Sequence, residues 1–293
     1  MLLLLAVCVI PFALAQRNAK QRAAAGRAWR LGSPASPLQV SSFKTARESI
    51  PTMPENQPVQ ILEPPPNALW YNGDFDGRNG GANQREGQFG AGEFSRLYDN
   101  FTGPPSGQTW TVTGVFSNNI MDAGLNTHIT TADWEIRTGV SEGNGGTVVA
   151  SASAAPCTVT PTGRSGFGRT EYQVMITGLN VTLNALPAGH FYFLDVNPVV
   201  PLGVTGQSFE TTTSGAKCVG TPCGNDDNSW WDSNLFGVHF TTTVNLFGSG
   251  TWDFSMGVIG TSASPTPTPT PTPTATPRST PTPRPRGTPP PRP

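Results

Sequence analysis

Asp133 and Glu135 flank Trp134 in a stretch where apolar and polar residues alternate. On a strand, residues i and i+2 share a face, so this pair has the spacing of the two carboxylates that act as acid and base in glycoside hydrolysis. Trp134 and Ile136 form the opposite, inward set, which assigns both acids to the wet face, where charge is ordinary. A second candidate is Asp74-Phe75-Asp76-Gly77-Arg78-Asn79, which resembles the acidic start of a calcium loop: alternate oxygen-bearing side chains and a glycine turn around one hard cation. Its candidate ligands are Asp74, Asp76, Asn79 and Glu86. The fit departs from an EF-hand, since Arg78 takes a ligand position and Arg85 the closing one, and a Gly and Asn-rich turn feeding the first strand is the plainer reading. The third is Asn225-Asp226-Asp227-Asn228-Ser229-Trp230-Trp231-Asp232. Asp226, Asp227, Trp230, Trp231 and Asp232 combine carboxylates that accept hydroxyl hydrogens with rings that stack on apolar sugar faces. On an extended segment one of two adjacent Trp points inward, so at most one ring faces solvent.

Other chemistry is poorly supplied. Gly163-Arg164-Ser165-Gly166-Phe167-Gly168 has Phe167 where a nucleophile elbow needs glycine, lacks the lysine and helix of a phosphate loop, and reads as a flexible hairpin connection. His128, His190 and His239 are the only histidines. They sit singly at strand starts or on outward faces, too scattered for a histidine metal site. Four cysteines are present. Cys8 falls in an apolar leader, which leaves Cys157, Cys218 and Cys223. Two pairings follow, a short Cys218–Cys223 ring, favoured by the turn formers Gly220 and Pro222, and a Cys157–Cys218 bridge, favoured by loop entropy; the short ring is the one expected. Zinc would need a second pair or a nearby His. Asn100-Phe101-Thr102 and Asn180-Val181-Thr182 are glycosylation sequons.

The elements that must position these residues are strands. Gly and Pro number 33 and 30 in 293 residues, about a fifth of the chain, which rules out a largely helical protein. Residues 16–50 carry seven basic side chains against one acid, residues 261–293 carry four arginines and no acid, and the middle is acidic. That distribution leaves no global basic footprint for nucleic acid. Residues 1–15 read as a secretory signal peptide, an apolar run ending in Ala13-Leu14-Ala15 and too short to be a transmembrane anchor. A transit peptide is the alternative. Residues 16–66 form a basic, Pro-rich linker without a sustained apolar period, expected to be mostly disordered. Residues 261–293 form a Pro/Thr-rich tail suited to polyproline II.

Between them, residues 67–260 show short period-two runs, among them Tyr172, Val174 and Ile176, or Phe236, Val238 and Phe240. Strands are expected near 95–102, 109–117, 128–138, 146–153, 170–178, 190–197, 207–213, 235–243 and 251–259. This predicts an all-β fold, an antiparallel β-sandwich of jelly-roll type, with a closed barrel as alternative.

The phrases Tyr98-Asp99-Asn100-Phe101-Thr102, Gln108-Thr109-Trp110-Thr111-Val112, Thr162 to Gly168 and the Cys218 to Cys223 loop make the chain similar to a group of bacterial secreted β-sandwich proteins, some ending in cell-surface sorting tails. The resemblance implies export and a sandwich fold, and no activity. The chain departs from the sorted members in lacking a C-terminal membrane segment. The expected function is a secreted, non-catalytic module, binding or structural, whose partner is extracellular glycan or cell-wall material. It requires no cofactor beyond a candidate Ca2+. The alternatives are a secreted carbohydrate-active enzyme using paired carboxylates and a self-associating surface-layer component.

Overall fold

The computed structural model describes residues 64–247 and 252–263, together with Gly287. The leader, all but the last residues of the linker and, Gly287 apart, the tail beyond residue 263 lie outside the described residues.

Fourteen strands among the described residues form two sheets, as an antiparallel sandwich predicts. The first is built on β5 (Thr109–Met121), which pairs along one edge with β9 (Arg169–Asn184) and along the other with β14 (Met256–Ala263) and β11 (Ser208–Thr213). β1 (Ala68–Tyr71) lies outside β14, β2 (Phe75–Ala82) outside β11 and β8 (Thr158–Gly166) outside β9. The second sheet runs β13 (Val238–Thr242), β12 (Trp230–Ser233), β4 (Phe94–Phe101), β10 (Tyr192–Val200), β6 (Thr131–Thr138), β7 (Thr147–Pro156). Short β3 (Gln84–Glu86) pairs antiparallel with β4 and parallel with β10. A single helical turn, α1 (Thr243–Phe247), follows β13.

Alternation explains the packing. Leu97, Phe101, Trp134, Ile136, Leu194 and Val196 of the second sheet meet Val112, Val115, Val174, Ile176 and Val258 of the first in one core. Phe101 stacks on Trp70 at 5.1 Å and on Tyr192 at 5.4 Å, contacts that add about 0.5–1.5 kcal/mol each beyond area burial. Smaller apolar clusters cover the outer faces, Ile120 and Phe209 with Phe89 on one side, Tyr98, Phe193 and Phe240 on the other. The second half of β5 is therefore buried on both faces.

The chain crosses from the first sheet to the second at Asn83. Its amide donates to the Val196 carbonyl at 2.9 Å and to Glu210 at 3.0 Å, and its oxygen accepts from Asn197 at 2.6 Å. Those bonds satisfy polar groups where the ladder is interrupted.

Several boundaries shift from expectation. β14 runs to Ala263, past the expected domain end, because its last residues pair with Thr109 and Trp110. The Gly163 to Gly168 stretch is mostly strand β8. Only Phe167 and Gly168, both at positive φ, make the turn into β9.

Candidate functional site

The candidate carboxylates Asp133 and Glu135 do lie opposite Trp134 and Ile136, as alternation requires, but their face is not wet. Asp133 is 1% exposed. β4 lays Arg96 across both: it donates to Glu135 at 2.6 Å and to Asp133 at 3.2 Å, and stands 3.8 Å from Asp195 of β10. Arg85 adds a second cation 3.2 Å from Asp133, and Arg137 donates to Glu135 at 2.5 Å. Asp133 also accepts from the Ser153 hydroxyl at 3.0 Å and the Ala154 amide at 2.8 Å. Burial pushes Asp195 well above the usual carboxylate range, with Glu135 and Asp133 adding to the rise and Arg96 opposing it. Burial works against the charge on Arg96 as well, yet the facing Asp195, Tyr98 and Glu135 hold its proton more firmly than in water. An acid–base pair needs one carboxyl that releases its proton to a substrate. Here both are locked in guanidinium forks, an arrangement suited to fixing β4, β6 and β10 to one another.

The Asn225 to Asp232 stretch is divided. Trp231 turns inward, 5% exposed, and donates its indole N–H to Ser95 Oγ at 2.9 Å. Trp230 is half-buried on the outer face beside Tyr98, its indole N–H on Asn228. Asp232 is buried and holds His239 Nδ1 at 3.0 Å. Burial raises its pKa, with His239 opposing. Asp226 and Asp227 are exposed on the loop before β12. These five residues therefore separate: Asp226 and Asp227 lie on the loop, Trp230 and Asp232 on the outer sheet face, and Trp231 in the core.

Of the four calcium-loop candidates, three are strand and Asp74 sits at the bend before β2. Asp76 and Asn79 lie on β2, where Asp76 accepts from Thr212 at 2.6 Å, and Glu86 ends β3 in the other sheet. Asp74 is taken up by Arg164 at 3.2 Å and Lys217 at 2.9 Å. The structure does not bring the four together around a point.

A more compact constellation forms at the end of the sandwich where β4 meets β5 and β9 meets β10. Cys218 and Cys223 are joined, and Cys157 is free. Beyond the disulfide, Gly224 donates to Asn72 Oδ1 at 2.8 Å, and Asn72 donates to Asp99 at 2.7 Å. Asp99 accepts in addition from the backbone of Phe254 at 2.7 Å and of Asn100 at 2.8 Å. Next to it, Asp253 accepts from the Asp226 amide at 2.5 Å, and Asn100 donates to the Asp226 carboxylate at 3.0 Å. Burial raises the pKa of Asp99 well above normal, with Asp253 adding to it. It lifts Asp253 to about 7, with Asp226 close by. Asn100 is fully buried, so its sequon does not present an accessible acceptor.

Beside this cluster a groove of about 420 Å³ opens between the 102–105, 186–190 and 220–221 segments. Trp110, Pro104 and Pro187 give it apolar walls, and Thr102, His190 and Thr221 bring polar groups.

Comparison with protein-family models, curated proteins and solved structures found no match.

Among the described residues no helix is long and apolar enough to cross a membrane, and no three His, Cys, Asp or Glu side chains are grouped to hold a metal ion. Sequence reasoning missed Asp99, Asp195 and Asp253. The first carried a usable signal: it falls between Leu97 and Phe101 on the inward face of β4, where a charge is out of place without a reason.

Proposed function

We propose that the chain is an exported, non-catalytic sandwich module that binds extracellular carbohydrate, as free polysaccharide or cell-wall glycan, at its loop end. The groove carries this reading. A sugar ring presents C–H faces that rest on apolar surface and hydroxyls that need hydrogen-bonding partners, and the walls and rim of the groove supply both. Export is supported by the apolar leader and by the Cys218–Cys223 bond, which persists in oxidising compartments. The arginine forks on Asp133 and Glu135 support a role without turnover. The test is a glycan array and a pull-down on cell-wall fractions with the full chain. Binding is expected, weakened about tenfold by removing one or two hydrogen bonds in His190→Ala with Thr221→Val. Folded protein that is blank in both assays refutes the reading, as does polysaccharide turnover abolished by Asp133→Asn with Glu135→Gln.

A further inference from the structure

The acids of the described residues divide by their counter-charges. Asp74, Asp122, Asp133, Glu135 and Glu171 each meet an arginine within 3.2 Å. No arginine or lysine among the described residues pairs with Asp99, Asp226 or Asp253. Asp99 and Asp253 are nonetheless wholly buried. Taking two carboxylates out of water beside a third without a cation is costly. Asp99 is compensated by the three donors on its two oxygens.

Asp253 is compensated less, by the Asp226 amide and the Ser229 hydroxyl. One of its oxygens accepts the Asp226 amide, while Oδ1 is buried without a hydrogen-bond partner. Asn100 repeats the pattern: Nδ2 grips the Asp226 carboxylate, while Oδ1 is buried and unpartnered. Two fully buried side chains thus hold Asp226, one by its backbone and one by its carboxylate, and each keeps an oxygen in reserve. Hydrogen-bond donors would be expected at both oxygens in a finished polar interior. A hard divalent cation accepts carboxylate and amide oxygens alike. A donor set mixing Asn with two Asp differs from a group of three acids.

We infer that Asn100 Oδ1, Asp253 Oδ1 and the Asp226 carboxylate form a binding site for a hard divalent cation of the calcium class. The ion fastens the 225–227 loop to the end of β4 and to the segment before β14. This inference stands apart from the carbohydrate reading, because its test uses the metal alone. The residues are also distinct from Asp74, Asp76, Asn79 and Glu86.

The test is thermal unfolding of the full chain, stripped with EDTA and titrated with CaCl2 at pH 7.5, alongside calorimetric titration. Sites of this modest charge in extracellular modules bind with Kd of about 0.1–1 mM. At 10 mM calcium, Tm should therefore rise by several degrees. Asp253→Asn and Asp226→Asn should each abolish the rise. Asp253→Asn should in addition unfold at an equal or higher temperature than the stripped parent, since it removes a buried charge that no cation faces, which separates loss of the site from loss of the fold. No calcium response in the parent overturns the inference. So does a response that survives Asp253→Asn but is lost in Asp76→Asn, or a Tm that rises equally on acidification and is indifferent to calcium, the mark of two carboxyls sharing a proton.

Discussion

Replacing Arg96 by methionine keeps most of the side-chain volume and deletes the charge that Glu135, Asp133 and Asp195 share. Glu135 retains Arg137 and Asp133 retains Arg85, but Asp195, fully buried with neither carboxylate oxygen hydrogen-bonded, keeps no cation. Breaking a buried pair from one side costs about 3–5 kcal/mol because the remaining charge is stranded. In a domain of this size that lowers Tm by roughly 6–20 °C. The pH dependence carries its own sign. Arg96 opposes the upward shift of Asp195, so its removal lifts that pKa further. Above the ordinary carboxylate range the folded variant then binds a proton that the unfolded chain has released, and its stability falls as pH climbs through that window. Below it Asp195 is protonated in both states and the deficit shrinks. Urea denaturation of parent and variant at pH 4 and pH 7 measures both effects. A loss under about 1 kcal/mol at pH 7, or an equal loss at both pH values, would refute the view of Arg96 as the charge that holds Asp195 in place.

One reagent and two substitutions probe other parts of the fold. Burial raises the Cys157 thiol from 9.0 to about 11, so alkylation by iodoacetamide at pH 8 should be about 100-fold slower in the folded chain than in urea, and equal rates would contradict the burial. A Cβ on Gly257, the second residue of β14, would stand 2.6 Å from both the Trp70 carbonyl oxygen and the Phe116 ring, so Gly257→Ala should cost about 1–3 kcal/mol in a urea titration. Gly168→Ala, whose Cβ meets open space, should cost only the left-handed backbone penalty of about 1–2 kcal/mol, and a larger loss than Gly257→Ala would invert the argument.

The strands legible in the sequence were those with β-branched or aromatic residues on one face. β4, β5, β6, β10 and β11 fall close to where alternation puts them. β2 reads Phe-Asp-Gly-Arg-Asn-Gly-Gly-Ala and looked like an ion-binding turn. Gly81 is there because neighbours approach closely, since a Cβ on it would meet Leu97 at 2.6 Å and Leu246 at 2.8 Å, whereas Gly77 has open space around it and a positive φ. β8 and β12 were missed for related reasons, the first broken by Pro161 and Gly163, the second only four residues long. Alternation required one of Trp230 and Trp231 to point inward without naming which, and the pairing of β12 with β4 decides it. The site was least legible. Asp133 and Glu135 were assigned to the correct face, and Arg137 shares it at i+2, but Arg85 and Arg96 come from β3 and β4, partners that spacing along one strand does not reveal. Asn100, Asp226 and Asp253 lie far apart in the chain and meet only because β4, the 225–227 loop and the start of β14 end at the same edge.

The first and last described strands are side-by-side neighbours. Tyr71 pairs with Gly257, and the Gly260 amide returns to the Asn67 carbonyl at 3.0 Å. A unit whose doorway and exit adjoin can be spliced into the surface loop of a host protein as a cassette without stretching the host. It also has a mechanical character: tension applied to both flanks would peel β1 from β14 one rung at a time, so the module would yield at low force and act as a soft link in any tether that included it.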